Sequence, residues 1–155
     1  MSSSAQTNLA HSIKSELATA CLRLTGTLRV EVNGWSMLPT IWPGDMLIIS
    51  TADHRDIVLG DIGLFQREGN IFVHRVIDKN DSPGEILSQG DAMPQADPPF
   101  SSRELAGKVQ FIVRHGKQIE PSRKLGLAQR LVARLMQRSE IACRIAVRAH
   151  GFYQV

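Results

Sequence analysis

Three segments of this 155-residue chain carry residue types that suit acyl transfer. The first is Gly34-Trp35-Ser36-Met37-Leu38-Pro39-Thr40, which follows a period-two segment. There Ser36 lies between a glycine that permits positive φ and a proline that stiffens the exit. Backbone N–H groups in such a bend can converge on an oxyanion, and Trp35, Met37 and Leu38 offer apolar walls for a bound peptide. A serine nucleophile needs a base, usually His or Lys. His74 lies inside residues 71–77, where alternation groups Phe72, His74 and Val76 on one face. Desolvation among apolar neighbours favours an imidazole's neutral, proton-accepting form. The third segment is the proline-containing loop 88–97, whose Asp91 and Asp97 could orient that imidazole. Each segment also has a plainer reading: a β-turn with an apolar plug, a hydrogen-bonded structural histidine, and solvated turn aspartates. Which aspartate would serve His74 stays open at this point.

The order of the three segments narrows the choice. Gly34 to Thr40 with Pro43-Gly44-Asp45 resembles the nucleophile box of type I signal peptidases and the related self-cleaving repressors. Gly60-Asp61-Ile62-Gly63-Leu64-Phe65 with Val73-His74-Arg75-Val76-Ile77 resembles the base-bearing box, and Gly90-Asp91 with Asp97 the acid box. The resemblance covers roughly residues 30–110. Histidine rather than lysine at position 74 is the pattern of the archaeal and endoplasmic-reticulum subtype, and none of the five lysines occupies the matching place. The resemblance implies Ser36 as nucleophile, His74 as general base and Asp97 as the acid that supports it, with Asp91 the acid of the Gly-Asp pair. It also implies the Ser36 N–H as an oxyanion donor, small residues at the substrate's cleavage site, and no cofactor. Gly34 stands where some relatives carry an oxyanion-binding hydroxyl. The expected activity is cleavage of a leader or precursor peptide. A non-catalytic peptide-binding member and a self-cleaving regulator are the alternatives. The second would need a DNA-binding module, for which 26 residues before the first strand are too few.

The elements that must position these groups follow from periodicity. Residues 8–24 predict a helix, with Leu9, Ile13, Leu17, Cys21 and Leu24 as its apolar stripe and Gly26 as its end. Strands are expected at 28–32, 46–50, 61–66, 71–78, 85–89 and 107–113, with a hairpin turn at Glu68-Gly69-Asn70. Helical spacing returns from Arg123 to Ala149. The expected fold is mainly antiparallel β with an N-terminal helix (1–26), a peptidase body (27–120) and a basic amphipathic helical tail (121–155).

Composition sets outer limits. Residues 1–107 hold 8 basic and 13 acidic side chains, while residues 108–155 hold 10 and 2, so an overall charge of +3 hides an acidic body and a basic tail. That excludes a uniformly basic nucleic-acid-coating protein. The longest apolar run is Met46-Leu47-Ile48-Ile49, far short of the ~20 residues a membrane span needs. The first ten residues lack the pattern of a secretory signal. A soluble, cytoplasmic protein is therefore expected, with peripheral membrane contact the second expectation. Signal peptidases are normally anchored, so the missing span puts the substrate in question more than the chemistry. In the tail, Ala128, Leu131, Val132, Leu135, Met136, Ala142, Ala146 and Ala149 oppose Arg130, Arg134, Arg138, Arg144 and Arg148 on a helical wheel. Docking on the body or a partner protein, or binding to anionic lipid, are the competing readings. Nucleic acid is disfavoured because no aromatic residues interleave the basic ones. Asp53-His54-Arg55-Asp56 lacks a second ligand cluster for a metal, His115 and His150 read as solvated, and Cys21 and Cys143 read as core positions.

Overall fold

The computed structural model describes residues 2–82 and 84–139. Cys143, His150 and the last two tail arginines lie outside the described residues. The elements run α1 (Ser2–Thr25), β1 (Thr27–Glu31), β2 (Met46–Thr51), β3 (Ile62–Arg67), β4 (Asn70–Asn80), β5 (Glu85–Gln89), β6 (Phe100–Ser101), a 3-10 turn (Ser102–Glu104), β7 (Leu105–Arg114), β8 (Lys117–Ile119) and α2 (Leu127–Arg138). The fold is the expected one, mainly antiparallel β with a helix near each end. All eight strands join one sheet in the order β1-β2-β7-β3-β4-β5-β6, with β8 paired to β7. The β3–β4 hairpin closes through Glu68 and Gly69, both at positive φ (51° and 73°), as a tight two-residue turn requires. The loop expected at 90–102 contains the short strand β6, which pairs with β5.

Two apolar clusters support the sheet. Leu22, Met37, Ile41, Leu47, Ile49, Ile62 and Leu64 form part of one. Ile57, Phe65, Val76, Ile86, Phe100 and Leu105 form the other, where the Phe65 and Phe100 rings stack at 4.5 Å.

Both helices depart from the sequence-based expectation. The α1 stripe faces the wrong way: Ile13, Leu17 and Leu24 are 48%, 64% and 88% exposed and Cys21 is also exposed, while Ser15, Thr19 and Leu22 are buried. Close approach explains this. A Cβ on Gly69 would overlap Ser12, and one on Gly107 would lie 2.9 Å from Leu22 Cδ2, so the helix settles over two glycines with small side chains between. The Thr19 hydroxyl stays satisfied by donating back to Ser15 O at 2.9 Å. The second helix begins at Leu127, not Arg123, and ends at Arg138 with Ser139 in extended geometry; the rest of the expected segment, 140–149, lies outside the described residues.

Candidate active site

Ser36 starts a tight turn between β1 and β2. Leu38 N donates to Trp35 O, and Thr40 N and Ile41 N both donate to Met37 O. Asp45, 1% exposed, holds the far end of this turn: its carboxylate accepts from Trp42 N at 2.8 Å and from both sides of the Arg114 guanidinium. The expected backbone role of Gly34 is absent. It does not adopt a positive φ, and open space surrounds it.

His74 lies mid-strand on β4, opposite Gly63 of β3, and is 7% exposed. Its Nε2 is 3.0 Å from Ser36 Oγ and its Nδ1 is 2.6 Å from Asp97 Oδ2. A neutral imidazole that donates from Nδ1 to the carboxylate leaves Nε2 to accept the serine proton. Asp97 is fixed in turn by its neighbours. Ser88 Oγ donates to the same Oδ2 at 2.6 Å, and Asp97 N donates to Ser88 O at 2.8 Å. Burial works against the Asp97 carboxylate, yet the hydrogen bonds from His74 and Ser88 outweigh it and hold its pKa below the ordinary value. Arg67 then clamps the following segment, donating to Pro98 O, Pro99 O and both Glu104 oxygens, with its guanidinium 4.1 Å from the Phe100 ring centre.

Asp91, although on the same loop, goes elsewhere. Arg75 grips it through two 2.8 Å hydrogen bonds, and Thr40 Oγ1 donates to its Oδ2. The Arg75 guanidinium also donates to Gly60 O and Ser122 O, both at 2.8 Å. One buried ion pair thus ties the serine turn, the base strand, the acid loop and the segment leading to α2. Two backbone features complete the junction: Ala92 N donates to Ser36 O, and a Cβ on Gly90 would lie 2.5 Å from Ser36 O and 3.2 Å from His74 Nε2. Only glycine lets the acid loop approach the Ser36–His74 pair this closely.

In front of Ser36 and His74 opens a cleft of about 280 Å³. Residues 30–34 form one wall and residues 71–74 the other, with Met37, Ile41 and Leu47 beneath. Both walls offer strand edges. Among the described residues β1 has only β2 as partner, and β5 pairs with β4 only from Arg75 onward, leaving residues 70–74 without a partner on that side. Of the expected apolar walls, Met37 lines the cleft. Leu38 does not: it is fully buried against Ala92 and Met136, because the turn sends successive side chains to different sides. Trp35, 36% exposed, is not among the lining residues.

The Peptidase S24-like family model matches residues 3–110, more than two thirds of the chain. The chain belongs to the Peptidase S24-like family. No curated protein matches it. The matched span holds Ser36, His74, Asp91 and Asp97 but ends before α2. Membership carries a serine-peptidase or self-cleaving-repressor type of fold, and among the described residues no set of side chains could hold a metal ion. His54, the expected weak metal candidate, lies 3.5 Å from Asp81.

Sequence reading missed four members of this hydrogen-bonded cluster: Arg75, Thr40, Ser88 and Arg67. Arg75 follows His74, and Thr40 and Ser88 lie inside segments already singled out, so only side-chain direction was missing. Arg67 is distant in sequence from Pro98, and no local pattern could have exposed it.

Proposed function

We propose that this chain is a serine endopeptidase of the Ser–His signal-peptidase type, cutting a leader or precursor peptide by acyl transfer. The observation that carries the reading is the continuous hydrogen-bonded line from Ser36 Oγ through His74 to Asp97. His74 takes the hydroxyl proton as Ser36 attacks the scissile carbonyl, then returns it to the leaving amine. The imidazolium formed between those steps faces Asp97, whose depressed pKa keeps it anionic to stabilise that charge. Ser36 N donates to no backbone acceptor among the described residues, which suits it to the developing oxyanion. An extended substrate segment can pair with the unpartnered edges of residues 30–34 and 70–74, placing a small apolar side chain over Met37 and Ile41. General-base assistance of this kind contributes about 10²–10⁴ in rate.

The test is exposure of a proteome-derived peptide library to the wild type and to Ser36→Ala, with new termini read by mass spectrometry. The reading expects a set of cuts sharing a small residue at the scissile bond that vanishes in the variant. Cuts that persist in Ser36→Ala remove it. The family match also accommodates self-cleavage, in which case the wild-type chain itself shortens at a rate independent of its concentration while Ser36→Ala stays intact.

A further inference from the structure

The family match stops before α2, yet this helix is built into the back of the candidate site. Ala133 and Met136 are its buried positions, at 3% and 6% exposure, and Met136 joins Leu38 and Ala92 in a small apolar cluster. Gln137 Nε2 donates to Asp91 O at 3.0 Å. Twelve residues form a marginal helix in isolation, so these contacts hold it.

The docked face leaves most of the apolar surface of α2 outside. Leu127, Leu131 and Leu135 recur every fourth residue and are 81%, 66% and 62% exposed. At about 100° per residue, Ala133 points nearly opposite to Leu131 and Leu135. Of the apolar residues read on this side from the sequence, Met136 alone among the described residues docks on the body. Arg130, Arg134 and Arg138 run along one flank of the leucine ridge, exposed, and pair with no carboxylate among the described residues. Residues 121–139 contain five basic side chains and no acidic one. Among these, Arg123 alone pairs with a carboxylate of the described residues, Asp61 at 2.7 Å.

An exposed leucine ridge bordered by free arginines has the chemistry of a helix lying in a membrane interface, with leucines among the acyl chains and guanidinium groups among anionic headgroups. We propose that α2 docks the protein on an anionic lipid bilayer through Leu127, Leu131 and Leu135, with Arg130, Arg134 and Arg138 bound to lipid phosphates. A second copy docked ridge to ridge would meet the same arginines, and like charges would oppose that pairing. Nucleic acid would leave the leucines uncovered. Among the described residues no helix is long and apolar enough to cross a membrane, so the contact is interfacial. The inference stands apart from the proposed peptidase activity, because binding is read without any substrate.

The experiment is co-sedimentation of the full chain with vesicles of phosphatidylcholine alone or with a third phosphatidylglycerol. Binding to the anionic vesicles only, weakened by high salt, is expected. Replacing Arg130, Arg134 and Arg138 by glutamine should weaken it on the order of a hundredfold. Leu131→Gln with Leu135→Gln should weaken it at least tenfold, and exposure of both positions predicts an unchanged circular dichroism spectrum and melting temperature. Equal binding to neutral vesicles, no vesicle binding, or full affinity in the folded leucine variant would overturn the proposal. So would a dimer in light scattering that the leucine variant abolishes, or binding to a short nucleic-acid duplex in place of vesicles.

Discussion

Asp91 and Asp97 stand six residues apart on one loop, Asp91 buried and Asp97 partly buried, yet they face partners of opposite kind. Asp97 faces a histidine, a partner whose charge changes when a proton moves. Asp91 faces Arg75, whose charge is permanent. A carboxylate beside a titratable partner can answer each step of a reaction. One beside a guanidinium is a fixed strut, and its value lies in what it holds together. The partner, more than the acid, sets the role.

That contrast can be broken most severely at Asp97. Asp97→Asn should lower kcat about 10³–10⁴-fold on any peptide found in the library, since the amide no longer fixes the His74 tautomer or stabilises its cation. Its melting temperature should change far less than its kcat. The mirror-image result is expected for Asp91→Asn, which leaves Arg75 buried with half its partnership. Chemical denaturation should show a loss of about 3 kcal/mol, while the folded fraction keeps kcat within a few-fold. A collapse of kcat at unchanged stability would erase the distinction between the two acids.

Ser88→Ala sharpens the comparison at smaller scale. It removes one of two hydrogen bonds to Asp97 Oδ2 and leaves the other, from His74, in place. A loss of about 1 kcal/mol in denaturation and a few-fold drop in kcat are expected. The smallest effect lies at the clamp behind Asp97. Hydrogen bonding from Arg67 holds the Glu104 pKa from an ordinary 4.5 down to about 2. A folded-state pKa below the unfolded one contributes stability in full above 4.5, and that contribution fades as pH falls towards 2. Acid titration of thermal stability should therefore be shallower in Glu104→Gln than in the wild type over that window, by a modest amount because the pair is partly solvated.

The strands and the order of the motifs were legible because local rules set them. Alternation marked β1 and β4, and Glu68-Gly69-Asn70 marked the β3–β4 turn. The site segments were legible for a different reason: Ser36, His74 and the two acids stand in an order that chance spacing rarely gives. The division of labour between the acids was not legible, since it depends on which side of β4 each loop residue reaches, and Arg75 points away from His74 along the same strand. The orientation of α1 was misread because two distant glycines, Gly69 in the β3–β4 turn and Gly107 on β7, leave room for Ser12 and Leu22 to approach closely. Periodicity names a stripe, but only packing says which stripe is buried. The same lesson applies to α2, whose docking falls to Ala133 and Met136 while its leucines stay outside.

The central claim is that Ser36 and His74 form one catalytic unit, and a mutant cycle measures that directly. Using one peptide identified from the library, kcat/KM is determined for the wild type, Ser36→Ala, His74→Ala and the double variant. Groups that act together predict a loss of at least about 10⁴-fold in each single variant and no further loss in the double. Losses that multiply, or substantial cleavage by His74→Ala, would contradict the account.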